Sequence, residues 1–210
     1  MKEKNESVWD KFAPVYSSFV TGTPGNRKAY EAIYKRIAKV VRDREVLEIA
    51  TGPGVIAKRV AAETKSMIAT DFSEKMIAVA HRGEVPANLR FEQADACELP
   101  YADNSFDAVI IANALHILPD PEKALSEIRR VLKKDGILIS PNFVHDNQNR
   151  ISGIFSKALS AAGVVFEAKW DANGFLSFLE QNGFAVKHAK LLHSTIPMVY
   201  AEAYITDVRA

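Results

Sequence analysis

Cysteine is almost missing from this chain. Cys97 is the one thiol among 210 residues, so no internal disulfide can form, and no Cys/His spacing in the sequence suits a metal ion. Charge of one sign is lacking too: 27 lysines and arginines face 26 aspartates and glutamates, for a formal net charge of +1. No basic stripe of the kind that tracks a nucleic-acid backbone is visible, and the small Lys133–Lys134 cluster reads as cations near a helix C-terminus. No apolar run reaches the roughly 20 residues needed to span a bilayer, and the opening residues MKEKNESVWD hold no apolar signal core. The expectation is a cytoplasmic protein with no membrane span and no nucleic-acid partner. Repeats and linker-like segments are missing as well, and the length suits one domain over 1–210.

What the chain does contain is a strand that runs into a glycine-rich turn. In VLEIATGPGVIAKRVA, Val46 to Ala61, an apolar run carries Glu48, the turn holds Gly52 and Gly54, and a helical pattern begins at once. This predicts a buried parallel strand followed by a helix N-terminus whose backbone N–H groups face a ligand. Glycine at 52 and 54 lets that ligand approach the main chain, while Pro53 withdraws one donor. The next apolar segment, Ser66–Thr70, closes on Asp71, nineteen positions after Gly52, near the roughly 20 at which an acidic residue meets ribose hydroxyls in a nucleotide-binding unit. A third, Leu89–Gln93, leads to Asp95. Glu48, Asp71 and Asp95 thus fall along one edge of one sheet, the carboxyl edge where open α/β sheets bind ligands.

The rest of the chain continues the alternation. Helices are expected over about Val8–Val20 and Asn26–Val41, the second with an apolar stripe at Ile33, Ile37, Val40 and Val41. Strands at Glu45–Ile49, Ser66–Thr70, Leu89–Gln93, Phe106–Ala112 and Gly136–Phe143 alternate with three helices. These span Val55–Glu63, a stretch capped by Ser73 and stopped near Gly83, and Pro121–Leu132 behind its cap Asp120. Asp171 caps a last helix that ends at Gly183. The closing strands Phe184–Leu192 and Ile196–Ile205 are joined by His193–Thr195, too short for a crossover, so they run antiparallel. The expected fold is α/β: one domain with a seven-stranded, mostly parallel sheet, a C-terminal antiparallel hairpin, and helices on both faces.

Taken together, Glu48, Ala50, Gly52 and Gly54, then Asp71, then Asp95, then the ANAL segment that starts at Ala112, resemble the class I S-adenosylmethionine-dependent methyltransferases. The likeness is to the broad small-molecule group that includes quinone and sterol methyltransferases, and it covers about Val8 to Phe143. One departure is Ala50, where the family pattern carries its first glycine. The resemblance implies a Rossmann-like domain that binds S-adenosyl-L-methionine, releases S-adenosyl-L-homocysteine, and methylates a small, apolar acceptor through an O, S, N or C nucleophile. It also implies cofactor contacts from Glu48, Ala50, Thr51, Gly52 and Gly54. Glu48 orients the methionine amino group, or else forms an ion pair with Arg44 or Arg59. Asp71 accepts the ribose hydroxyls, or caps a helix. Asp95 and the Ala96 backbone read the adenine, or form an ordinary turn. Phe72 and Met76 pack on the ribose and adenine faces, or belong to the core. Asn113 lies under the methionine portion.

A competing pattern runs through the same loop. Gly52, Gly54 and Ala57 satisfy the GxGxxG/A fingerprint of nicotinamide-dependent oxidoreductases. Glu48 would repel the pyrophosphate of such a ligand, whereas a sulfonium with a free amino group is drawn to a carboxylate in a partly desolvated site. A protein that binds S-adenosylmethionine without catalysis is the third alternative; it predicts binding with no product.

Methyl transfer needs positioning and dehydration first, and a base only where the nucleophile must lose a proton. His116 and His145, each just past a strand end, are the candidate bases. Tyr16, sharing a helix face with Trp9 and Phe12, is a candidate for catalysis and for the cofactor carboxylate. Residues 1–42 are expected to cover the cofactor, and 145–170, with apolar Ile151, Ile154 and Phe155, to form a substrate lid or a dimer contact in a monomer or homodimer. No metal site is expected, and there is no NPPY-type motif for amino groups of bases or amides.

Overall fold

The computed structural model describes residue 22 and residues 24–145, 167–194 and 197–206. The expected helix over Val8–Val20, with Trp9, Phe12 and Tyr16, and most of the 145–170 segment lie outside the described residues. Helix α1 is Pro24–Val40, followed by β1, Glu45–Ile49, α2, Val55–Val60, and β2, Ser66–Asp71. Next come α3, Glu74–Ala80, β3, Leu89–Gln93, β4, Phe106–Ile111, and α4, Pro121–Val131. The chain closes with β5, Leu132–Ile139, β6, Asn142–Phe143, α5, Ala172–Gln181, β7, Phe184–Leu192, and β8, Met198–Ile205. Ser73, Asp120 and Asp171 cap α3, α4 and α5 through their side chains, as expected.

All eight strands form one sheet in the order β3-β2-β1-β4-β5-β8-β6, with β7 paired to β8. The first five are parallel, and β8 runs antiparallel to its neighbours. The count exceeds the expected seven because the fifth strand is divided. Pro141 has no N–H and interrupts it. The register against β8 nevertheless continues unchanged, from Ile139↔Glu202 to Asn142↔Val199, with Ser140 and Ala201 exchanging backbone bonds between them. Strand β5 also starts earlier than expected, at Leu132, so Lys133 lies on a strand and not in a helix end. Its ammonium pairs with Glu45 at 3.0 Å and Asp107 at 2.8 Å.

Alternate residues of β1 feed two cores. Val46 packs on one side with Ile33 and Ile37 of α1, Ile56 and Val60 of α2, and Ile77 of α3. Leu47 and Ile49 pack on the other with Leu125 and Ile128 of α4 and with Phe175 and Leu179 of α5. Glu48 shares the parity of Val46, which places a carboxyl on the α1–α3 side of the sheet. Helix α1 is fixed to the last strand by charge as well as by packing. Arg36 grips the buried Glu202 with two bonds of 2.6 Å, and Tyr200 donates to the same carboxylate at 2.7 Å. Among the described residues no helix is long and apolar enough to cross a membrane.

At the topological switch point, β1 and β4 lie side by side with Ile49 opposite Ile111. Their connections leave in opposite directions, toward α2 on one face and α4 on the other, and this opens a crevice above them. The turn after β1 holds Ala50, Gly52 and Gly54 at φ of 53°, 55° and 75°, and Asn113 after β4 has φ 52°. Gly54 answers to packing as well: a Cβ there would sit 2.6 Å from the Phe91 ring of β3. Gly54→Ala therefore combines left-handed strain with overpacking and is expected to cost about 2–4 kcal/mol. Thermal unfolding should show a fall of roughly 5–15 °C, part of which Phe91→Leu restores. An unchanged melting temperature in the single variant would contradict this account.

Candidate functional site

The crevice above β1 and β4 is a cavity of about 280 Å³. Of the residues expected to touch a cofactor, Glu48, Ala50, Thr51, Gly52, Asp71, Phe72, Met76, Asp95, Ala96 and Asn113 all line it. Tyr16 lies outside the described residues. Gly54 does not line the cavity, and the expectation that it opens the main chain to a ligand is corrected. Its hydrogen faces Phe91 and Ala80, so it serves contact between α2, α3 and β3.

The helix N-terminus expected to face a ligand begins at Val55, and Val55 and Ile56 line the cavity. In the loop before it, Thr51 N–H donates to Thr70, Gly52 N–H to Asp71 Oδ2, and Gly54 N–H to Thr51. The donors of these three residues are consumed by the fold. The turn is an acidic platform, unsuited to the pyrophosphate of a dinucleotide. Asp71 does this by accepting from two backbone groups, Gly52 N–H at 2.8 Å and Ser73 N–H at 2.9 Å. Because Ser73 accepts the Met76 N–H at 3.1 Å and caps α3, Asp71 is not the cap itself. A carboxylate offers about four acceptor positions, so Asp71 can hold both turns and still form part of the cavity wall. Asp95 accepts from Cys97 N–H at 2.9 Å in a tight turn that also lays the Ala96 backbone along the wall.

Glu48 is 2% exposed, and its Oε2 has no hydrogen-bond partner among the described residues. No ion pair with Arg44 or Arg59 forms; Arg59 reaches Glu31 at 3.4 Å. Burial pushes the Glu48 carboxyl up to about 8, and the charge of Asp71 adds to the rise. Thr51 Oγ1 and Asn113 Oδ1 are likewise buried without a partner. An orphaned buried polar atom carries a cost, and three of them fall on residues that line one cavity. This donor and acceptor set fits an amino-acid head group that carries an ammonium. Next to it, Asp71 suits a ribose, and the Asp95–Ala96 turn suits an adenine. Phe72, 40% exposed at the rim, and Met76, 3% exposed beneath it, complete an apolar slot.

The two histidines stand apart. His116 does not line the cavity. It is buried, its Nδ1 lies 3.1 Å from Asn142 Oδ1, and its ring packs edge-on against Phe143. Burial lowers it to about 4, with His145 contributing, so the ring is neutral and a weak proton acceptor. His145 is partly buried and is also lowered, by desolvation and then by Lys169; it too is absent from the wall. Residues for which the sequence suggested no part in the site also line the cavity, among them Tyr30, Cys97, Ile117, Leu118, Pro119 and Lys123. Tyr30 could have been found by extending the Ile33–Ile37 stripe back one turn.

Comparison with known proteins agrees with this geometry. The family model "Methyltransferase domain" matches residues 47–140. The demethylmenaquinone methyltransferase of Paenarthrobacter aurescens is 31% identical over 176 residues, covering 81% of this chain and 69% of that protein. That of Renibacterium salmoninarum is 31% identical over 159 residues, covering 74% and 65%. The chain thus spans about two thirds of the length of these curated relatives. Among solved structures, a complex of DhpI with SAH matches with a TM-score of 0.76 at 21% identity, over 97% of this chain and 96% of that one. A methyltransferase structure from Bacillus halodurans C-125 matches at 0.71 and 20%, over 84% and 98%. These two establish likeness of fold. On the match to the Paenarthrobacter relative, together with the family model, the chain belongs to the class I S-adenosylmethionine-dependent methyltransferases, in their quinone-methyltransferase-like group.

Proposed function

We propose that this chain transfers a methyl group from S-adenosylmethionine to a carbon atom of a small quinone-type acceptor. The observation that carries the cofactor assignment is Glu48, a buried carboxyl with an unpartnered oxygen, on the same wall as Asp71 and Asp95. The acceptor class rests on the relatives' names, which for the Paenarthrobacter and Renibacterium proteins specify demethylmenaquinone, and for a Rickettsia prowazekii relative, ubiquinone and menaquinone C-methylation.

When bound, S-adenosylmethionine supplies an electrophilic methyl group on a sulfonium. The chain's part is to hold and to dry. Glu48, Thr51 and Asn113 take the amino-acid end, Asp71 the ribose, and Asp95 with Ala96 the adenine, between Phe72 and Met76. Held at these points, the methyl group faces one direction, and an acceptor stacked against it at near-attack distance gains the advantage of proximity. Apolar wall residues such as Val55, Ile56 and Ile117 would exclude water. His116 and His145 belong to packing in this reading, and the proton released on carbon methylation leaves by way of the acceptor's own oxygen or solvent.

Calorimetry should show binding of S-adenosylhomocysteine by the purified protein, and a labelled methyl group should pass to a reduced short-chain naphthoquinone. Binding without transfer to any such ring would remove the acceptor assignment. Asp71→Ala should weaken S-adenosylhomocysteine by about 1–3 kcal/mol or more through unpaired polar groups; an unchanged dissociation constant in a folded variant would refute the ribose role.

Glu48 makes a pH prediction. Its folded value of about 8 exceeds the ordinary 4.5, so between these values the folded chain holds a proton that the unfolded chain releases. Below pH 6.5 the buried His116, lowered to about 4, contributes a slope of the opposite sign, so stability of the ligand-free protein falls as pH rises from about 6.5 to 8. Glu48→Gln removes that fall and is the more stable form at pH 8. A ligand ammonium beside Glu48 favours the carboxylate, so S-adenosylhomocysteine should bind more tightly as pH rises from 5 toward 8, with proton release that varies with buffer ionisation enthalpy. Wild-type affinity that is flat with pH counts against this.

A further inference from the structure

Tyr30 enters no expectation drawn from the sequence, yet it stands at the junction of α1 with the cavity. Its side chain is buried, 3% exposed, and its hydroxyl accepts a hydrogen bond of 2.8 Å from Asn113 Nδ2. Asn113 is held from its other side as well. Its backbone N–H donates to Pro141 at 2.8 Å, across from β4 to the divided fifth strand, and its φ of 52° sits in the left-handed region. The backbone N–H and one of the two amide N–H donors are committed. The carboxamide oxygen, Oδ1, is buried and without a partner among the described residues.

We propose that Tyr30 is a positioning residue for the cofactor: by accepting from Asn113 Nδ2 it fixes which end of the carboxamide faces the ligand, so that the carbonyl receives an N–H of the ligand's amino group. The inference rests on the cofactor assignment made above and adds a residue that acts through another. Without an acceptor at Tyr30, the two amide orientations become comparable in energy, since nothing else among the described residues holds Nδ2. Half of the population would then turn an NH₂ group toward an ammonium, a donor facing a donor. The ring of Tyr30, packed with Tyr34 at 5.9 Å between centroids, fills the same space with or without its oxygen. Tyr30→Phe therefore removes the lock and leaves the packing.

The test measures binding of three adenosyl ligands by calorimetry: S-adenosylhomocysteine, decarboxylated S-adenosylmethionine, which keeps the amine, and 5′-methylthioadenosine, which has neither amine nor carboxylate. Wild-type protein that binds none of them overturns the cofactor assignment and this proposal with it. Given wild-type binding, Tyr30→Phe should weaken the two amine-bearing ligands about twofold, because half of the protein starts in the competent orientation, and leave methylthioadenosine unchanged. Equal weakening of all three would mean a general packing role and overturns the proposal. So does loss confined to S-adenosylhomocysteine, which would place the contact on the carboxylate. Asn113→Ala should show the same selectivity, and adding Tyr30→Phe to it should cost nothing further; additive losses would show that Tyr30 does not act through Asn113.

Discussion

Asp71 accepts the N–H of Gly52 on one side and that of Ser73 on the other, and these two bonds set the spacing of the turns that frame the cavity. One turn carries Ala50 and Thr51 over the end of β1; the other carries Phe72 and starts α3. Remove the carboxylate, and the two turns lose a common partner while two buried donors lose their acceptor. The residue best placed to bind a ribose is thus also the residue that shapes the site around it. Both uses draw on the same property of a carboxylate, its several acceptor positions.

The cavity is maintained against the local preferences of its own residues. Ala50 adopts φ 53°, where an L-residue is disfavoured by about 1–2 kcal/mol. Burial raises the Glu48 carboxyl, and three polar atoms of the wall lie buried with no partner among the described residues. Such a concentration of unsatisfied groups is expected where a ligand completes the structure. The surrounding sheet is unstrained by comparison, with its two cores filled by aliphatic side chains on either face.

Much of this was legible in the sequence because strand ends and turn chemistry are local. Glu48, Asp71 and Asp95 each close or follow an apolar run, and their shared edge follows from parallel strands alone. Ser73, Asp120 and Asp171 announced their helices. What could not be read depended on contacts between distant elements. Gly54 looks like a ligand-approach glycine until Phe91 of β3 is set beside it. The N–H groups of the turn look available until Asp71 claims one of them. Pro141 divides the fifth strand, but whether the ladder survives the break depends on β8, more than fifty residues later. Tyr30 lies on an apolar stripe, and nothing in that stripe tells which turn of the helix ends beside Asn113. His116 and His145 were attractive as bases because they follow strand ends; burial of one and the position of both remove them from the wall.

The Arg36–Glu202 clamp reaches beyond its own neighbourhood. It fastens α1 to the hairpin strand, two turns along the helix from Tyr30, so the amide at Asn113 inherits its alignment from an ion pair on the last strand of the chain. A lesion at Glu202 would thus surface as a ligand defect, although no atom of that side chain borders the cavity.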